Sequence, residues 1–362
     1  MSEEKLPAKN YYYDMGYDLQ LYPNCWCYVV YSGRNTGKTF STLKYMYDNK
    51  CRFAFVKRTN EDVDILCSSS KKIGSARVDL NPWKKINKFY PYIKVAPVKV
   101  QKGIGAFFVI DDEGNPLGEP IGYIFSLNAI GDIKGFECEV DYLIFDEFIP
   151  KPWERVNRKE GDQVLDLYKT LDRDRIHRGL PATKLILLAN PTNINTPVLK
   201  TLALIDTMAE YDRNMSYVFE DKGIMIRKLQ NNKNFIETEK QHPMYISLKE
   251  TEWGKMAFDG SFAYNDFSCV KDFSIKKAVP VVSFFYMNSW HYIYQRNGLY
   301  MVTSSKFNVD RPSYDLTKEV HQKRFWYEVV IDLRSCCIDG NAVFKTYSEY
   351  DLIMNYKEVF KV

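Results

Sequence analysis

One segment constrains this chain more than any other. Residues 26–31, WCYVVY, form a short apolar run rich in aromatic and β-branched side chains, which reads as a buried strand. The run stops at SGRNTGKT (32–39). The next stretch, FSTLKYMYDN, places apolar residues at 40, 43, 46 and 47, a helical spacing. RFAFVKR (52–58) supplies a second strand directly behind it. Strand, glycine-containing loop, helix and strand make a βαβ unit, and such units build a parallel sheet covered by helices. The expected fold class is therefore α/β.

Later runs extend that sheet. Residues 93–98 and 104–110 flank Gly103 and read as a hairpin, while DDEGNPLGEP (111–120) reads as a turn-rich surface insert. YIFSL (123–127), YLIFDEF (142–148) and the start of KLILLANPTN (184–193) read as strands, and DQVLDLYKTLDRDR (162–175) as a helix. Asn60 is the expected cap of another helix, with Glu61 and Asp62 in its first turn, where carboxylates suit the helix dipole. Val63 follows at the third position, so no capping box is expected there. YVF (217–219) and IMIRKL (224–229) are expected to edge the same unit.

QNNKN (230–234) is a turn or linker signal, and residues 235 to about 275 mix polar residues, glycines and single aromatics like a connector. Beyond it VVSFFY (281–286), WHYIYQ (290–295) and LYMVTS (299–304) are short aromatic strands. Asn297-Gly298 predicts a tight hairpin turn between the last two. The expected organisation is a first domain over 1–230, a linker over 231–275 and a small second domain over 276–362.

Composition removes several classes. The longest apolar runs are strand-sized, and the N-terminal MSEEKLPAKN has no apolar signal-like core, so a cytoplasmic protein without membrane contact is expected. The 8 Cys include no C-x-x-C pair and the 4 His are scattered, which favours free thiols over a zinc site. A net charge of +4 does not by itself demand a nucleic-acid partner. The basic runs Lys71-Lys72, Lys84-Lys85-Lys88, Arg173-Arg175-Arg178 and Lys276-Lys277 read first as solvated faces.

The loop after the first strand carries chemistry. It matches G-x-x-x-x-G-K-[ST], with Ser32 in the place of the first glycine and Gly33 beside it, followed by Arg34, Asn35, Thr36, Gly37, Lys38 and Thr39. Backbone N–H groups of such a loop face a phosphate, Gly37 permits close approach, Lys38 serves the β- and γ-phosphates, and the Thr39 hydroxyl is a ligand for Mg²⁺. ATP and Mg²⁺ are the expected cofactors. Asp146 closes a buried strand and is the expected metal carboxylate, with Glu147 as the general base toward water. Asn190, after the next strand, is placed to sense the γ-phosphate. Lys57 and Arg58 end the second strand on the edge where parallel sheets bind ligands, so Arg58 joins the nucleotide-binding set. Arg34 can contact the γ-phosphate or relay to Glu147, and one of Tyr11, Tyr12 and Tyr13 can stack on adenine. Arg175 or Arg173, with Arg178 behind them, is the expected arginine finger given to a neighbouring subunit.

In order along residues 11–193, this set resembles the DNA-packaging ATPases of tailed bacteriophages, the large-terminase type, and looks closest to the compact motors of small podovirus-like phages. The residues that carry the likeness are S-G-R-N-T-G-K-T (32–39), V-K-R (56–58), N-A-I-G-D-I-K-G (128–135), L-I-F-D-E-F (143–148), the arginines of 173–178 and L-L-A-N-P (187–191). The resemblance implies an ASCE-type, RecA-like P-loop ATPase followed by a small α+β, RNase H-like domain. It also implies a homomeric ring, expected to be a pentamer, that drives double-stranded DNA into a procapsid through its portal, with a structural RNA in the compact relatives. Residues 281–295 carry no Asp or Glu, whereas an active nuclease of that kind gathers acids around two metals, so a nuclease-inactive domain is expected. Sequence-neutral DNA contact is expected from Lys84, Lys85, Lys88, Lys99, Lys102, Lys276 and Lys277. The alternatives are a helicase-like, nucleic-acid-dependent ATPase and a nucleotide switch without translocation.

Overall fold

The computed structural model describes residues 12–67, 72–73, 76–77, 81–129, 138–214, 218–229, 237–238, 240–262 and 264–361. The chain divides into two compact units, Met1–Ala203 with Asn214–Tyr264, and Leu204–Arg213 with Asn265–Val362. The stretch expected as a linker up to Tyr264 therefore clusters with the first unit, while 204–213, expected in the first domain, clusters with the second. The QNNKN segment lies outside the described residues.

The first unit is built on β1 (Cys27–Tyr31), β2 (Phe53–Lys57), β5 (Val95–Gln101), β6 (Ile104–Ile110), β7 (Pro116–Ser126), β8 (Tyr142–Asp146), β9 (Lys184–Ala189), β10 (Val218–Asp221) and β11 (Ile224–Lys228); β3 (Lys72–Ile73) and β4 (Ala76–Arg77) pair separately. The nine strands follow the order β10-β11-β1-β9-β8-β2-β7-β6-β5. From β11 to β7 every neighbour is parallel. β10 on one side, and β6 then β5 on the other, add antiparallel edges. β1 is buried at all its positions, as a strand covered on both faces must be. Phe53, Trp83 and Phe107 meet with ring centroids about 6 Å apart in the core.

Among the helices described in this unit are α1 (Met15–Leu21), α2 (Lys38–Asp48), α3 (Asn60–Cys67), α4 (Lys84–Phe89) and α5 (Glu160–Leu171). α1 went unread in the sequence. Its Asp14 caps it by accepting from the Gly16 N–H, and its buried Asp18 is paired with Arg227. α3 is capped one residue earlier than expected. Thr59 Oγ1 accepts from the Asp62 N–H at 3.1 Å, and Asp62 Oδ2 accepts from the Thr59 N–H at 3.0 Å. That reciprocal pair is a capping box with Asp in the returning role. The hairpin of β5 and β6 forms as read, but β7 begins at Pro116, so half of the expected surface insert is strand. α5 stops at Leu171, leaving Arg173 and Arg175 in the turns beyond it.

The second unit holds a five-stranded sheet, in the order β15-β12-β13-β14-β16. β12 (Val279–Tyr286), β13 (Ser289–Arg296) and β14 (Leu299–Thr303) form an antiparallel meander. β15 (Ser313–Asp315) runs parallel to β12 and β16 (Ala342–Phe344) parallel to β14. Asn297 and Gly298 both take positive φ, the geometry that a type I′ turn requires. Met287 and Asn288 make a second such turn, which no glycine announces. All eight cysteines are free thiols, and no helix among the described residues is long and apolar enough to cross a membrane.

Candidate functional site

The parallel strands all point the same way, so the carboxyl ends of β1, β9, β8 and β2 line one edge of the sheet. Tyr31 lies opposite Ala189, and Asp146 opposite Leu188. The loop 32–37, Asn190, Asp146-Glu147 and Lys57-Arg58 leave the sheet from those ends. The acid-bearing strand β8 is not the direct neighbour of β1. β9 lies between them and places Asn190 between the loop and the acids.

The loop is a tight backbone cradle. Asn35 and Gly37 both adopt positive φ. A side chain on Gly37 would also press on the Tyr12 ring, about 3.0 Å from its nearest atom. Gly33 is demanded by packing: a Cβ there would sit 2.3 Å from the carbonyl oxygen of Ala257. The Arg34 N–H donates to that same carbonyl at 2.9 Å, and the Arg34 guanidinium lies 5.9 Å from the centre of the Trp253 ring. The segment around Ala257 was read as linker; it is part of the loop's support.

Lys38 starts α2 and is buried, only 9% exposed. Its ammonium donates to Ser32 Oγ at 2.7 Å, to the Gly33 carbonyl at 3.1 Å and to Asn190 Oδ1 at 3.2 Å. Each of these acceptors is a neutral oxygen. Burial pushes the Lys38 pKa down to about 8, against an opposing pull from Asp146 and Glu147. A buried cation solvated only by neutral dipoles is poised for an anion, which is the fit a phosphate needs. Ser32 Oγ and Thr36 Oγ1 lie 2.6 Å apart beneath the ammonium, so Ser32 does more than replace a glycine.

The Thr39 hydroxyl donates to Asp146 Oδ1 at 2.9 Å. Burial raises the Asp146 carboxyl above the usual aspartate value; Lys57, 3.9 Å away, opposes this. A hydroxyl and a carboxylate joined this way suit a small hard cation such as Mg²⁺. Glu147 is exposed and takes φ +59°, a left-handed conformation that costs a non-glycine residue about 1 kcal/mol. Such strain at a strand end is typical of functional corners.

Arg58 holds that corner. Its Nε donates to Glu160 Oε2 at 2.7 Å and Nη2 to Glu160 Oε1 at 3.2 Å. Nη1 reaches Glu154 at 3.1 Å, while Nη2 also donates to the carbonyls of Glu147 and Phe148 at 3.2 and 3.0 Å. Arg58 therefore braces the backbone under Glu147 in this structure. Arg175 is likewise held within its own chain. It is 4% exposed, with its Nη2 on Asp141 at 2.8 Å and its Nε on the Pro181 carbonyl at 2.9 Å. The Arg173 side chain is 79% exposed, and Arg178 pairs with Glu139. Tyr13 bonds Asp18 at 2.7 Å, Tyr12 lies beside Gly37, and Tyr11 falls outside the described residues, as does 130–135 of the N-A-I-G-D-I-K-G stretch.

The sequence matches no protein-family model and no curated protein. Two solved structures are similar over nearly the whole chain. One is the Phi-28 gp11 DNA packaging motor, at 15% identity and TM-score 0.56, covering 98% of this chain and 99% of that one. The other is the bacteriophage Phi-29 viral genome packaging motor assembly, at 16% identity and TM-score 0.62, covering 97% and 99%. The chain has the packaging-motor fold. At these identities it is the backbone arrangement that is shared. Within the packaging-motor fold, the corner built by Lys38, Thr39, Asp146, Glu147 and Asn190 stands at the carboxyl edge of the parallel sheet, where ligands of open α/β sheets bind.

Proposed function

We propose that this chain is an ATP-hydrolysing subunit of a viral DNA-packaging motor. The observation that carries the reading is the neutral-oxygen shell of the buried Lys38 ammonium beside the Thr39–Asp146 pair, in a chain with that fold. Lys38 and the loop N–H groups bind the β- and γ-phosphates of ATP. Thr39 and Asp146 hold Mg²⁺, which when bound neutralises phosphate charge. Glu147 orients water and accepts its proton. Asn190 gives up its bond to Lys38 when a phosphate takes the ammonium, which makes it the coupling residue. Arg173 completes the site of an adjacent subunit in a homomeric ring, taken as a pentamer, and Tyr12 is the candidate for adenine stacking. The ring moves double-stranded DNA through the portal of a procapsid, with a structural RNA as a further partner. The second unit handles DNA or partners without cutting, a reading supported by its sheet, whose named strands carry one acid, Asp315 of β15.

The test is steady-state phosphate release with Mg²⁺, with and without long duplex DNA. Turnover raised by duplex DNA is the expected result. Nucleotide binding with negligible turnover would favour the switch reading instead.

A further inference from the structure

The loop that joins β8 to α5 has not been given a role, and its chemistry is distinctive. From 151 to 159 it reads K-P-W-E-R-V-N-R-K, with four basic residues and one acid. The acid is withdrawn from the outer face. Glu154 Oε2 accepts from Arg58 Nη1 at 3.1 Å and from the Lys151 N–H at 3.2 Å. Arg155, Arg158 and Lys159 are exposed, and Trp153 stands 73% exposed between them and Pro152. The loop is also fixed at both ends. Arg58 binds the Glu147 and Phe148 carbonyls at its start and Glu160 at its end, and Thr192 Oγ1 donates to the Pro150 carbonyl at 2.7 Å.

We propose that the loop 151–159 is a duplex-DNA contact surface, in which Arg155 and Lys159 meet backbone phosphates and Trp153 packs against the sugars between them. The choice of duplex DNA rests on the packaging reading above; the cationic, aromatic character of the loop does not. Cations aimed at phosphates bind without reading sequence, as a translocating motor requires. An exposed indole among cations offers an apolar face to the deoxyribose rings while its neighbours meet the phosphates. Holding the loop rigid in advance lowers the entropy lost on contact. Of the lysines singled out from sequence, Lys99 is paired with Asp64 at 2.8 Å.

The test is anisotropy of a labelled duplex DNA titrated with the full chain across a salt series, with an unlabelled RNA duplex as competitor. Removing two phosphate contacts with Arg155→Ala and Lys159→Ala together is expected to flatten the plot of log K against log salt by about 1.8. Trp153→Ala is expected to lose affinity without changing the salt slope, and Trp153→Phe to restore most of it. Binding of a fluorescent ATP analogue reports that each variant is folded, and Arg155→Lys with native Lys159 should keep the full slope. A wild type that binds duplex steeply, with variants that match it in slope and affinity, overturns the loop assignment and leaves the motor reading standing. A wild type that ignores duplex DNA overturns both. Preferential capture of the RNA duplex overturns the DNA assignment.

Discussion

Arg58→Ala should be the most informative single substitution in the first unit. The Glu160 side chain is 1% exposed, and Arg58 supplies a two-point ion pair to it at 2.7 and 3.2 Å. Deleting one partner of such a pair leaves the other charge buried, at a cost of about 3–5 kcal/mol. Burial already raises the Glu160 carboxyl above the usual glutamate value even though Arg58 pulls the other way. Without Arg58 it rises further. The sign follows from linkage. A carboxyl whose folded pKa exceeds its unfolded value penalises the folded state at high pH, and the penalty fades as pH falls through the folded pKa toward the unfolded one. The stability gap between wild type and variant should therefore be widest near pH 8. It should shrink by about 1.4 kcal/mol per pH unit once the variant's Glu160 protonates. Urea unfolding followed by circular dichroism between about pH 5 and 8 measures both quantities. Arg58→Met with Glu160→Leu should recover most of the loss, since matched apolar replacement of a buried pair is nearly neutral. A cost under about 1 kcal/mol, the range of an exposed pair, or a gap that ignores pH would refute the argument.

Four further outcomes are expected. Glu147→Gln should keep the affinity for an ATP analogue and lose turnover by about 10²–10⁴-fold, because only the proton acceptor is removed; parallel loss of binding and turnover would contradict the base assignment. Affinity for Mg·ATP should fall about tenfold per pH unit above pH 8, where the Lys38 ammonium deprotonates, and Lys38→Arg should lack that slope in equilibrium titrations. Arg175→Ala should destabilise the chain by about 1.5–3 kcal/mol through its charged hydrogen bond to Asp141. Arg173→Ala should leave stability unchanged yet lose turnover that mixing with Glu147→Gln subunits restores; turnover that stays at the level of the separate variants counts against a finger given in trans.

Much of this was legible in the sequence where local pattern and buried position agree. The apolar runs at 27–31, 142–146 and 184–189 became β1, β8 and β9, and the residues that follow them converge because parallel strands share one edge. What escaped the sequence depends on long-range partners. Arg58 and Arg175 look like any arginine near a nucleotide, and only Glu160 and Asp141, each distant in sequence, turn them inward. The support that Ala257 gives Gly33 joins residues more than two hundred positions apart, with no local signal. Asn60 is a common cap residue, yet it is Thr59 that Asp62, three residues on, answers. β7 hid its first half because Gly118 and Pro120 are poor strand formers that an edge region tolerates.

The central claim is that one buried lysine, unmatched by any hydrogen-bonded carboxylate, exists to hold a triphosphate. Calorimetric titration of the full chain with a slowly hydrolysed Mg·ATP analogue tests it most directly. The account predicts one site per chain in the wild type and no measurable site after Lys38→Ala. Equal binding by the two proteins, or no binding by either, would contradict it.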